Sequence, residues 1–177
     1  MNFERVAVVG TSGAGKSTFA RRLAERTGST YVELDSLFWN PGWKTTGTEE
    51  FSNRVAAAVS QESWVIDGNY AAVRPQIWAR ASCLVWLNYP FRITFARLVR
   101  RTLQRTLSGE KCCNGNREEL SKALFSRDSV LLWAITSHPM YKKEYPREIE
   151  AYPHLDIAEI RDPKEAEQLL LKLGHGE

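Results

Sequence analysis

At 177 residues, 43% hydrophobic and 25% charged, the chain has the size and balance of a single domain spanning 1–177, with six tryptophans as its only excess. No apolar run approaches the roughly 18 residues that cross a bilayer, and the opening "MNFERVAVVG" carries an acid and enters a strand at once. Neither a membrane partner nor a signal peptide is expected, and the expected location is cytoplasmic. The net charge of +3 conceals a block: residues 68–109 hold seven arginines and no Asp or Glu, a +7 segment suited to an anionic partner.

The first predicted strand, "RVAVVG" (5–10), leads into "GTSGAGKS" (10–17), which fits G-x-x-x-x-G-K-[ST] without a mismatch and opens a helix over 16–27. Glycines in such a loop let successive N–H groups turn inward onto phosphate oxygens, and the helix N-terminus adds partial positive charge. Gly10, Ser12, Gly13, Ala14, Gly15, Lys16, Ser17 and Thr18 are therefore the candidate nucleotide-binding set. Lys16 can reach the β- and γ-phosphates, and the Ser17 hydroxyl can join the shell of Mg²⁺.

The second strand, "TYVEL" (30–34), ends beside Asp35 and runs into "SLFWNPGW". Asp35 is either a cap or turn residue or the group that meets a substrate. Phe38, Trp39 and Trp43 are either core or an apolar wall for a ring. Thr48 with Glu49 and Glu50 starts a helix over 48–61. The third strand, "SWVID" (63–67), ends on Asp67, which either terminates the strand in a plain turn or helps to hold Mg²⁺ through its water shell.

After the fourth strand, "CLVWLN" (83–88), a helix over 91–107 carries a predicted apolar face of Phe91, Phe95, Leu98, Val99, Thr102, Leu103 and Thr106. Arg97, Arg101 and Arg105 recur every four residues on another face, either as a solvated stripe or as a phosphate clamp. The polar stretch "SGEKCCNGNREE" (108–119) is the expected cover over the phosphates, followed by a helix over 118–136. Cys83, Cys112 and Cys113 lack C-x-x-C pairing, so free thiols and no structural zinc are expected. A last strand, "LDIAEI" (155–160), precedes a helix over 164–173 that starts near Asp162-Pro163. The strands are nearly continuous in apolar residues and alternate with helices, as in a parallel sheet covered on both faces.

"VVGTSGAGKST", "LDSLFWNPGW", "WVIDGNY" and "RLVRRTLQR", together with the chain from about residue 4 to 160, resemble the adenylate-kinase-related proteins often labelled DNA topology-modulation proteins. That resemblance implies the α/β, three-layer nucleoside-monophosphate-kinase fold. Its five-stranded parallel sheet has the order 2-3-1-4-5, with helices on both faces and a lid, here around 108–128. Asp67-Gly68 stands where adenylate kinases have Asp-Gly followed by Phe-Pro-Arg. Here Asn69-Tyr70 follows and the next arginine is Arg74, a departure that speaks against an ordinary AMP site. Arg97 and Arg101 fall where adenylate kinases place two lid-hinge arginines, the first near adenine and the second on the transferred phosphate. "LDSLFW" also resembles the uridine-kinase-type segment in which an aspartate accepts the proton of the acceptor hydroxyl; shikimate-kinase-like enzymes have an acid at a comparable place.

No N-K-x-D guanine motif is present, and a motor or AAA-type ATPase would be longer, with an apolar strand ending in Asp-Glu. The resulting expectation is an ATP- and Mg²⁺-dependent kinase acting on a nucleotide, a nucleoside or another small hydroxyl acceptor. Lys16, Asp35 and Arg101 are its catalytic residues, Ser17 and Asp67 its metal residues, and Arg97 and Arg101 add to nucleotide binding. Arg105, Arg127 or Arg147 supplies a further phosphate contact. The expected chain is a monomer or homodimer without a nucleic-acid partner. The competing expectations are a nucleotide-dependent regulator that binds DNA and an NTPase or regulator acting on protein partners.

Overall fold

A computed structural model describes residues 1–108, 112–116 and 129–173. Its centre is a five-stranded parallel sheet of β1 (Arg5–Gly10), β2 (Thr30–Glu33), β5 (Trp64–Asp67), β6 (Cys83–Leu87) and β7 (Asp156–Ile160), in the order β2-β5-β1-β6-β7. Counting these five strands alone, this is the expected 2-3-1-4-5 order. Two further strands, β3 (Trp39–Asn40) and β4 (Lys44–Thr45), form a separate antiparallel hairpin.

Side chains alternate across a strand, and both faces of this sheet are apolar. Ala7, Val9, Ile66, Leu84 and Trp86 point to one face, packed beneath α3 (Thr48–Val59), α4 (Arg74–Arg80) and α6 (Val130–Ile149). Val6, Val8, Val65, Cys83, Val85 and Leu87 point to the other, under α1 (Lys16–Thr27) and α7 (Pro163–Leu173). The remaining helices are the short α2 (Leu34–Phe38) and the long α5 (Phe91–Ser108).

Three expectations change. Of the helix expected over 118–136, residues 118–128 lie outside the described residues; the described helix begins at Val130 and continues beyond 136 to Ile149, through Pro139 and Pro146. A proline inside a helix costs about 3 kcal/mol because it removes a donor and crowds the preceding turn. Both prolines sit on the exposed side, where the carbonyls left without a donor can face water. The opposite stripe of Ala134, Ser137, Tyr141 and Tyr145 is buried and holds the helix to the sheet. Second, the buried stripe of α5 is Thr94, Leu98 and Thr102, whereas Phe91 and Leu103, expected to be covered, are 37% and 44% exposed. Only one row at i, i+4 spacing is covered, because α5 meets the phosphate loop along that row. Third, β2 ends at Glu33, and Leu34 begins α2.

Candidate active site

The loop over residues 10–17 curls as its glycines allow: Gly13 and Gly15 have φ of 82° and 89°. Gly13 is needed for space as well. A Cβ there would fall 2.9 Å from the Leu98 Cβ and overlap the Thr94 carbonyl oxygen, so the bare glycine lets the loop lie directly on α5. This contact brings the arginine helix to the phosphate loop. Ala14 is buried beneath the loop, whereas Ser12 is half-buried and Thr18 exposed. Lys16 Nζ donates to the Thr11 carbonyl at 3.2 Å. Burial lowers the Lys16 pKa from its ordinary value, Asp67 and then Asp35 oppose that, and Arg101 adds to it. Three other expected site residues thus bear on the Lys16 ammonium.

Asp67 closes β5 and is 3% exposed. Its Oδ2 accepts from Ser17 Oγ at 2.6 Å, and its Oδ1 accepts from Tyr31 Oη at 3.0 Å. Burial pushes the carboxyl up to about 6; the Ser17 hydrogen bond, the Lys16 charge and the Tyr31 hydrogen bond pull the other way. Mg²⁺ takes hard oxygen ligands and is bound through one or two protein groups plus waters and phosphate oxygens. The Ser17–Asp67 pair has that chemistry. Among the described residues no cluster of three His, Cys, Asp or Glu side chains forms a fuller cage.

The three residues after Asp67 divide between two sites. Gly68 has a φ of 142° and its N–H donates to the Val8 carbonyl at 3.3 Å; a Cβ there would lie 2.8 Å from that of Leu34. Asn69 clips the start of the phosphate loop: its Oδ1 accepts from the Gly10 N–H at 3.3 Å, and its Nδ2 donates to the Gly10 carbonyl. Tyr145 Oη supports the same Oδ1 at 3.0 Å. Tyr70 turns the other way and donates to Asp35 Oδ1 at 2.6 Å. Asp35 lies in the first turn of α2, exposed, and caps no backbone N–H. The carboxylate is therefore oriented by a tyrosine from another strand's end.

The aromatic residues after Asp35 split likewise. Phe38 packs edge-on to Phe51 at 5.1 Å and against Tyr70 at 4.7 Å, so it belongs to the core. Trp39 and Trp43 meet edge-to-face at 5.4 Å on the hairpin, and Trp43 is 37% exposed. Trp43 also holds a left-handed φ of 58°, an unfavourable backbone for a bulky residue. Asn116, only 4% exposed, accepts from the Trp43 N–H at 2.9 Å and donates to the Asn40 carbonyl at 3.1 Å. Asn114 donates to the carbonyls of Ser36, at 2.8 Å, and Trp39. Residues 112–116, expected over the phosphates, are thus docked on the loop that follows Asp35. The rest of the expected cover over 108–128 lies largely outside the described residues, and Arg127 wholly so. Burial pushes the Cys113 thiol up to about 12, with Cys112 and Asp35 contributing.

Arg97, Arg100, Arg101, Gln104 and Arg105 line one groove of α5. Arg97 lies over the Tyr89 ring at 5.6 Å, and its guanidinium comes within 3.9 Å of where a Gly15 Cβ would stand. Arg147 is exposed in the last turn of α6. Sequence reasoning missed Tyr31, Arg100, Asn114 and Asn116. It quoted Asn69 and Tyr70 as a departure without seeing their two directions.

A family profile described as AAA domain matches residues 6–122. The shikimate kinase of Synechococcus elongatus is 29% identical over 105 residues, 51% of this chain and 55% of that protein. The cytidylate kinase of Alkaliphilus oremlandii is 45% identical over 38 residues, 22% of this chain and 18% of that protein. The chain therefore spans about half the length of the curated shikimate kinase it matches. Among solved structures, a shikimate kinase from Bacteroides thetaiotaomicron superposes with a TM-score of 0.59 at 18% identity, covering 96% of this chain and 95% of that one. A gluconokinase from Sinorhizobium meliloti gives 0.52 at 17% identity, covering 98% and 95%. These likenesses carry the fold. The profile match corrects the argument that length and a missing Asp-Glu strand set AAA-type proteins aside. The matched span takes in the phosphate loop, the strand ending at Asp67 and the arginine helix, a unit smaller than a whole motor ATPase.

Proposed function

The chain belongs to the AAA domain family, and from that premise we propose that it is an ATP- and Mg²⁺-dependent kinase that phosphorylates a small hydroxyl acceptor. The observation that carries this reading is the phosphate loop itself, whose Ser17 donates to buried Asp67 at 2.6 Å and whose Gly13 lies directly on the arginine helix at Thr94 and Leu98. Phosphoryl transfer asks chiefly for positioning and charge neutralisation around one phosphorus. The likeness to proteins named shikimate kinase, cytidylate kinase and gluconokinase supports the same reaction class.

In this reading the amides of residues 10–17 hold the β- and γ-phosphates, and Lys16 and Arg101 stabilise the charge on the transferred group. Ser17, and Asp67 through a water shell, would hold Mg²⁺, which would supply charge neutralisation at the phosphates. Asp35 accepts the proton of the acceptor hydroxyl as its oxygen bonds to the γ-phosphorus. The bond from that phosphorus to the bridging oxygen breaks, and ADP leaves. Tyr70 fixes the Asp35 carboxylate for that task through the 2.6 Å hydrogen bond.

The test is to incubate the protein with Mg-ATP and a pool of nucleosides, nucleotides and metabolites, and to seek the phosphorylated product by mass. With the acceptor so found, Asp35→Asn is expected to lower kcat on the order of 10²–10⁴-fold while ATP affinity stays within about twofold. A mutant that turns over normally removes the base role of Asp35.

A further inference from the structure

Asn69 stands where the sheet hands over to the phosphate loop. β5 ends at Asp67, which is paired with Val8 of β1, and two residues further along the same register Asn69 falls opposite Gly10. There the side chain takes over from the main chain. A side-chain amide carries the same kinds of donor and acceptor as a peptide group, and Asn69 uses both on Gly10, accepting from its N–H and donating to its carbonyl. Holding the Gly10 carbonyl fixes the peptide plane that leads into Thr11, which is 6% exposed. The Thr11 carbonyl accepts from the Lys16 ammonium at 3.2 Å. The orientation of one amide is thus passed on to the cation of the loop.

An asparagine amide turns about a broad terminal torsion, so its orientation has to be fixed from outside. Tyr145 of α6 does so, donating to the same Oδ1 at 3.0 Å from 76 positions further along the chain. Its own ring is held on several sides. It stacks on Tyr141 at 4.9 Å, meets Trp86 and Trp78 edge-on at 5.5 and 5.9 Å, and lies under the Arg74 guanidinium at 5.2 Å. Arg74 is tied in turn to Glu148 of α6.

Tyr145 is 0% exposed, and burial pushes its pKa well above the ordinary value, so the hydroxyl stays protonated and able to donate. Packing accounts for the ring and not for the oxygen. A phenylalanine would fill the same space without the cost of taking a hydroxyl out of water. The hydroxyl is directed at Asn69, and Asn69 at the phosphate loop.

We propose that Tyr145 is a positioning residue of the triphosphate site: through Asn69 and Gly10 it holds the phosphate loop, and with it Lys16, in the nucleotide-binding conformation. This rests on the nucleotide-binding part of the kinase reading and extends it to a helix outside both the loop motif and the arginine groove.

The experiment measures Mg-ATP binding by calorimetry for the full-length protein, Tyr145→Phe, Asn69→Ala and the double variant, with urea unfolding of each. Tyr145→Phe removes one oxygen and keeps the ring. It is expected to raise the Kd for Mg-ATP about three- to tenfold, as the loss of one hydrogen bond should. In the Asn69→Ala background the same change is expected to alter Kd by less than about twofold, because Tyr145 acts through Asn69. A Tyr145→Phe protein that binds Mg-ATP as the wild type does overturns the inference, whatever its urea midpoint, and leaves the kinase reading standing. A variant that does not fold also overturns it, since the hydroxyl then serves the fold. Independent, additive losses in the double variant overturn the route through Asn69. No binding heat from the wild type overturns the nucleotide-binding reading and this inference with it.

Discussion

Residues 28–67 and 68–109 are contiguous and similar in length, yet they are built on opposite principles. The first carries a net −4, and its key groups are held by hydrogen bonds: Asp35 by Tyr70, Asp67 by Ser17 and Tyr31, and the hairpin by Asn114 and Asn116. The second carries +7, and four of its arginines share one groove with no carboxylate in their helix. One segment is organised by directional hydrogen bonds and the other by gathered positive charge. Both segments bear on Lys16: burial and Arg101 lower its pKa, against Asp67 and Asp35, which raise it.

After Asp35→Asn, the largest expected effect breaks the basic half. Arg101→Ala should lower kcat on the order of 10²–10³-fold, because it removes a cation from the developing charge, while acceptor KM changes less than about twofold. Steady-state kinetics with the acceptor varied separates the two. If acceptor KM rises instead, Arg101 serves the acidic half.

A smaller effect concerns the buried acid at the boundary. The Asp67 carboxyl is raised from its ordinary 3.8 to about 6. Between those values the native chain keeps a proton that the unfolded chain has released, so nucleotide-free stability should fall as pH rises through that window and level off above it. The total loss is on the order of 2–3 kcal/mol, since one pKa unit corresponds to about 1.4 kcal/mol. Urea unfolding across pH 4–8 measures it. Stability that instead rises steadily through this window would contradict the desolvation of Asp67.

The smallest effect sharpens the contrast most, because it compares neighbours. Tyr70→Phe should lower kcat about tenfold and leave ATP binding unchanged, since Asp35 loses the hydrogen bond that orients it. Asn69→Ala should weaken ATP binding by a similar factor with acceptor KM unchanged, since the phosphate loop loses its clip at Gly10 and Tyr145 loses its acceptor in the core. Calorimetry for ATP and kinetics for the acceptor read the two sides. Identical profiles for the two variants would mean that Asp67-Gly68-Asn69-Tyr70 acts as one unit rather than as a divide.

Much of this molecule is decided by short-range pattern. The five sheet strands are legible because a strand covered on both faces must be apolar throughout, and Val65, Val85 and their neighbours are. The phosphate loop is legible because its backbone conformation and its cation come from adjacent residues. Composition alone separates the acidic and basic halves. Tertiary structure decides what depends on distant partners. Asp35 is oriented by a tyrosine 35 positions later, and Trp43 is held by an asparagine 73 positions later. Pro139 and Pro146 sit inside a helix because its opposite stripe is buried. Phe38 becomes core and Trp43 becomes surface, although both belong to one aromatic run. Local propensity contains no term for such pairings: their energy comes from burial and hydrogen bonds between segments that only folding brings together.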